Sequence, residues 1–127
     1  MAYRWIVDGN NVMGSRPDGW WRDRPAAAAR LVDAVSGRPW PDASGVTIVF
    51  DGRAPADSSA DTTVEVLHAG AGRSADDAIV DLVAEFKRDG SESLVVTSDR
   101  ALADRVRDLG AVVMSAGRFL DLLEDAG

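Results

Sequence analysis

Aspartate recurs in this sequence directly after short apolar runs: Ile-Val-Asp8-Gly-Asn-Asn11, Val-Phe-Asp51-Gly and Val-Thr-Ser98-Asp99, with Gly72-Arg-Ser-Ala-Asp76-Asp77 in between. Carboxylates brought from separate segments to one place repel one another unless a cation neutralises them. Oxygen donors select hard ions, so the expected occupant is magnesium or manganese, with water completing the coordination. Zinc is not expected, because cysteine is absent and His68 is the single histidine. A magnesium site with open water positions activates water, orients a phosphodiester and stabilises the leaving oxyanion, which is the chemistry of phosphodiester hydrolysis. Each acid also has a plainer role. Asp8 and Asp51 precede glycine as in strand-end turns, Asp76 and Asp77 suit the first turn of a helix, and Asp99 follows an N-cap-like Ser98. Convergence of all of them is what points to a site, whereas Asp81, Asp104 and Asp108 are expected on solvated helix faces.

Convergence requires elements that end at a common edge. Short β-branched and apolar runs predict strands at about Tyr3 to Val7, Val46 to Phe50, Thr63 to Leu67, Leu94 to Thr97 and Ala111 to Met114. Four of these are almost continuously apolar, as expected of strands covered on both faces in a mainly parallel sheet. The Thr63 run alternates and so predicts an edge strand. Helices fill the intervals. One follows Arg24 with Pro25 in its opening turn and Leu31, Val32 and Val35 on one stripe. A second starts near Ser74 and carries Ile79, Leu82, Val83 and Phe86, a third runs from about Asp99 to Leu109, and a short fourth lies around Phe119 to Leu123.

The expectation is one α/β domain over residues 1–127, three-layered, with an approximately five-stranded sheet between helices. In such sheets ligands bind beyond the carboxyl ends of the strands, where the aspartates stand. The interval from Gly52 to Thr62 is short for a helical crossover between parallel strands, which leaves the direction of the third strand open.

A formal charge of −7 argues against coating nucleic acid through a broad basic surface, though not against a small site. No apolar run approaches the roughly 20 residues that span a bilayer. The start of the sequence shows no basic leader or cleavage site, so the expected location is the cytoplasm.

Taken together, Ile-Val-Asp8-Gly-Asn-Asn11-Val, Val-Phe-Asp51-Gly, Ser-Ala-Asp76-Asp77-Ala-Ile and Thr-Ser98-Asp99-Arg resemble the NYN domain, particularly its YacP-like branch, over nearly the whole chain. The resemblance implies a PIN-like fold and a magnesium- or manganese-dependent acidic site that cuts RNA. It implies that Asp8, Asp76 and Asp99 hold the metal, with Asp77 a neighbouring acid, Asp51 a strand-end acid and Asn11 a site-orienting amide. Asn11 equally suits capping of the turn after the first strand. Some PIN-like nucleases carry a further acid four residues after the one matching Asp99; here that position is Ala103.

The segment Ser15 to Arg24 leaves the Asp8 motif and overhangs the acidic edge. Trp20 and Trp21, beside Arg22 and Arg24, either stack bases and hold phosphates or pack the loop onto the domain. Arg53, Arg73 and Arg100 lie beside the acids, where a guanidinium either meets phosphate or pairs with a carboxylate. His68 is read as outside the site. The reading is a metal-dependent ribonuclease acting on single-stranded or structured RNA. The rivals are an RNA-binding NYN-like module of weak or no activity, kept open by Ala103, and a receiver-like phosphoacceptor domain. The latter wants an acidic pair after the first strand and a lysine after the last, and finds neither.

Overall fold

Five strands lie in one sheet: β1 Tyr3–Asp8, β2 Ala43–Phe50, β3 Glu65–His68, β4 Ser93–Val96 and β5 Val112–Met114. The computed structural model describes residues 2–16, 19–52 and 64–125. Spatial order is β3-β2-β1-β4-β5, and every neighbouring pair is parallel. The direction left open by the sequence is thereby decided. The third strand runs parallel to β2 and occupies one edge, from Thr47 opposite Glu65 to Phe50 opposite His68. Thr63, its expected first residue, lies outside the described residues, as do 53–62 of the interval before it.

The helices are α1 Gly9–Gly14, α2 Arg24–Ser36, α3 Ala75–Arg88, α4 Arg100–Asp108 and α5 Ala116–Asp125, with one 3-10 turn at Trp20–Arg22. Three begin where the sequence placed them. Asp23 caps α2 with Pro25 in its first turn, Ser74 Oγ accepts the Asp77 N–H at 3.1 Å, and α4 is capped by Asp99, whose Oδ1 accepts the Leu102 N–H at 3.2 Å, and not by Ser98, whose Oγ accepts the Ala116 N–H instead. Two differ. Residues after Asp8, expected as a turn, continue as α1, a helix too short to display an apolar period although it buries Val12 and Met13. The last helix starts at Ala116 rather than near Phe119, because Ser115 Oγ accepts the Arg118 N–H at 3.2 Å and opens it a turn earlier.

Successive side chains of a strand point to opposite faces, and the core divides accordingly. On one face Trp5, Val7, Ile48, Phe50, Leu94 and Val96 pack against Leu31 and Val35 of α2 and Phe119 of α5. Trp40 stacks on Phe119 with centroids 5.4 Å apart, which closes that layer. On the other face Ile6, Val49 and Val95 meet Ile79 and Val83 of α3 and Leu102 and Val106 of α4. The same alternation carries Asp8, Asp51 and Thr97, each two residues beyond one of the second set, toward the α3 and α4 face. Among the described residues no helix is long and apolar enough to cross a membrane.

Candidate active site

Strand order makes β1 and β4 neighbours, and it is between them that the chain switches direction across the sheet, the place where open α/β folds bind ligands. Asp8 ends β1 and is only 3% exposed. Its Oδ2 accepts the Thr97 hydroxyl at 2.9 Å, and its Oδ1 makes a longer 3.5 Å contact with the Asn11 N–H. Burial pushes its carboxyl up to about 6; the Thr97 and Asn11 hydrogen bonds oppose that rise, and repulsion from Asp76 and Asp51 adds to it.

Asp51, just past β2, is tied at both ends. Its N–H donates to Asn10 Oδ1 at 2.7 Å, and its Oδ1 accepts the Ala75 N–H at 2.6 Å, seating a negative charge on the positive end of α3. Gly52, with φ of 78°, then turns the chain in a region that side chains rarely adopt. Asp76 lies in the first turn of α3. Its carboxyl is raised first by burial, then by repulsion from Asp99 and Asp51, with Arg105 opposing and Asp77 adding. Asp99 caps α4, and its own N–H donates to Thr97 Oγ1 at 3.1 Å. Asn11 Oδ1 accepts the Ser98 N–H at 2.7 Å, so this amide locks α1 to the loop after β4.

The predicted residues therefore separate. Asp8, Asp51, Asp76 and Asp99 share one electrostatic neighbourhood, each felt by at least one of the others. Asp77 turns to α4 and pairs with Arg105 at 3.0 Å. Arg73, just ahead of α3, pairs with Asp81 of that helix at 2.5 Å, and both side chains are exposed. Trp20 packs partly against the core, whereas Trp21 is 59% exposed, and the two rings meet edge to face at 6.1 Å. Arg24 lies over the Trp20 ring and Arg22 over the Trp21 ring. Arg53 lies outside the described residues. His68 stacks on Phe50, and burial lowers its pKa.

Two residues of the site were not singled out by the sequence reading: Thr97, whose hydroxyl bridges Asp8 and Asp99, and Asn10, which fixes the end of β2. A polar residue closing an apolar run, in step with Val95, is the signal that Thr97 carried. Thr97→Val should cost about 1–3 kcal/mol, since it leaves the buried Asp8 oxygen and the Asp99 N–H without a partner. Thr97→Ser should restore most of that loss. Denaturant melts of both variants check this, and a valine variant as stable as wild type would refute the bridge.

The donor set fits a hard cation in its chemistry: oxygen ligands only, with carboxyls raised by burial and mutual repulsion. Among the described residues no three acids already stand in a metal-holding arrangement. Asp8 is buried, and Asp76 and Asp99 are half-buried.

The profile of the YacP-like NYN domain matches residues 5–127. The chain belongs to this family. The fold of the NYN domain is nuclease-like. Among solved structures, Rae1 (YacP) from Bacillus subtilis is similar at a TM-score of 0.83 and 22% identity, over 97% of this chain and 74% of that one. A tryptophan-to-leucine variant of the same protein gives 0.80 and 23%, over 98% and 76%. At these identities the likeness concerns the fold. A comparison with curated proteins finds no match.

Proposed function

We propose that this NYN domain is a metal-dependent ribonuclease, its magnesium or manganese held by Asp8, Asp76 and Asp99 with Asp51 and Asn11 in support, and with Asp77 left to its pair with Arg105. The observation that carries the reading is the raised carboxyls of buried Asp8 and half-buried Asp76, set among acids at the switch point with Arg105 as the cation acting on Asp76. Carboxyls raised in this way at a strand-end cleft mark a candidate functional site, and a bound cation would relieve their repulsion. Bound there, the ion would supply a Lewis acid for the phosphodiester and a lowered pKa for its water. The chain's own contribution is to hold the acids: Thr97 orients Asp8, Asn11 anchors Ser98, and α3 presents Asp76 opposite Asp51.

The test is incubation of a mixed RNA pool with and without manganese, alongside Asp8→Asn. Manganese-dependent cutting by wild type alone supports the reading; equal cutting by both proteins would count it out. Buried Ala103, which places no acid at the start of α4, favours a second reading of an RNA-binding module with weak cleavage, distinguished by RNA binding without cutting.

Of the two tryptophans, exposed Trp21 is the one expected to contact RNA. Trp21→Ala should weaken single-stranded RNA binding by about 1–3 kcal/mol with little change in fold stability. Trp20→Ala should instead lower stability, since its ring packs on Gly14 and the core. Oligonucleotide titrations and thermal melts of both variants check the division; matched losses of binding with no loss of stability would contradict it.

A further inference from the structure

Beside the acids, a groove of about 540 Å³ opens between the start of α4 and the junction of β5 with α5. Its walls include Thr97, Ser98, Arg100, Asp104, Arg107 and Ser115. A volume of this size suits a nucleotide-sized group. Thr97 and Ser98 belong to both places: they hold Asp8 and Asn11 on one side and line the groove on the other.

The charges of the groove oppose those of the site. Arg100 makes no ion pair among the described residues, and Arg107 reaches Asp104 only at 3.9 Å, both side chains being largely exposed. Among the described residues, Arg73 pairs with Asp81 and Arg105 with Asp77, while Arg22 and Arg24 lie over tryptophan rings. Arg100 and Arg107 stand seven residues apart on α4, hence on one face and roughly 10 Å apart along the axis. Ala103 lies in the same wall, so no second carboxylate faces the pair there.

We propose that this groove is a subsite for the sugar-phosphate backbone of single-stranded RNA on one side of the acidic centre, with Arg100 and Arg107 as its phosphate contacts. The inference rests on the ribonuclease reading and deepens it. An acidic centre repels the polyanion it must cut, so cations have to hold the strand beside it, and here Arg100, unpaired among the described residues, and Arg107, held only by its long contact to Asp104, line the adjoining groove. The residue at 103 thus serves strand binding: an acid there would set a carboxylate against the phosphates.

The test is fluorescence anisotropy with a labelled single-stranded RNA, in calcium to slow cleavage, across several salt concentrations. Arg100→Ala/Arg107→Ala should weaken binding at least tenfold and flatten the salt slope by about 1.4, the value for two single-strand phosphate contacts. Lys87→Ala/Arg88→Ala removes the same charge from the far end of α3 and should leave the slope unchanged. Thermal melts of both variants should match wild type. Wild type that binds while the α4 variant binds equally well, or a control that loses as much as the α4 variant, overturns the subsite alone. Wild type that binds no RNA overturns the ribonuclease reading and the subsite with it.

Discussion

Asp8→Asn should abolish manganese-dependent RNA cleavage and, in the absence of metal, make the protein more stable at neutral pH. Loss of activity should exceed 100-fold, because even changes behind a metal's direct ligands cost about 10–100-fold. The stability gain follows from the sign of the shift. The Asp8 carboxyl sits at about 6 in the folded chain against 3.8 for the free side chain, so folding favours its protonated form. The contribution of Asp8 to stability is therefore full below about pH 3.8 and is lost as pH rises through 6, by on the order of 3 kcal/mol. Asparagine carries no charge to bury and still caps α1. The variant should match wild type near pH 4 and exceed it by about 1–3 kcal/mol at pH 7.5. Manganese should then raise the wild-type Tm at pH 7.5 and leave the variant unmoved, since a ligand stabilises only the state that binds it. Urea melts at both pH values, with chelator and with manganese, measure all of this. A gap between the proteins that ignores pH would falsify the buried-charge account.

Gly9→Ala should be strongly destabilising for so small a change. A Cβ at residue 9 would stand 2.5 Å from Phe50 Cε1 and 2.7 Å from Cδ1. The Phe50 ring is 4% exposed and stacked against His68, so it has little space into which to retreat. Overpacking of this kind costs about 1–3 kcal/mol, which lowers Tm by several degrees in a chain of this length. Because Gly9 follows Asp8 and Phe50 precedes Asp51, the displacement reaches both acids, and the manganese-induced stabilisation should shrink with it. Gly117→Ala is the contrasting change: it lies in α5 with nothing within 4 Å of the added methyl and should stabilise by about 0.5–1 kcal/mol. Calorimetry of the pair decides; a Gly9→Ala protein that melts with wild type would mean that α1 is not seated on β2 as described.

Local patterns sufficed for the strands, for the helices opening at Ser74 and Asp99, and for the position of each aspartate at the end of an apolar run. These features repeat with the period of the element that bears them, so a few neighbouring residues encode them. Nearly all of α1 was illegible for the same reason: six residues are too few to show a period, and its cap is an aspartate that also reads as a turn.

Tertiary structure alone decided which elements are neighbours. That β4 lies beside β1 brings Thr97 to Asp8 across 89 residues of sequence, and that α3 packs on α4 gives Asp77 to Arg105. Contacts of this kind have no local signature, because they depend on the order in which strands add to the sheet and on how helices cross its face. The fates of the flanking residues were settled likewise: Arg73 taken by Asp81, Trp20 drawn inward and Trp21 left outside, Arg100 and Arg107 facing an open groove. Sequence placed Asp8, Asp51 and Asp99 just at or past strand ends and Asp76 in the first turn of a helix, and only the β3-β2-β1-β4-β5 order made those ends a single place.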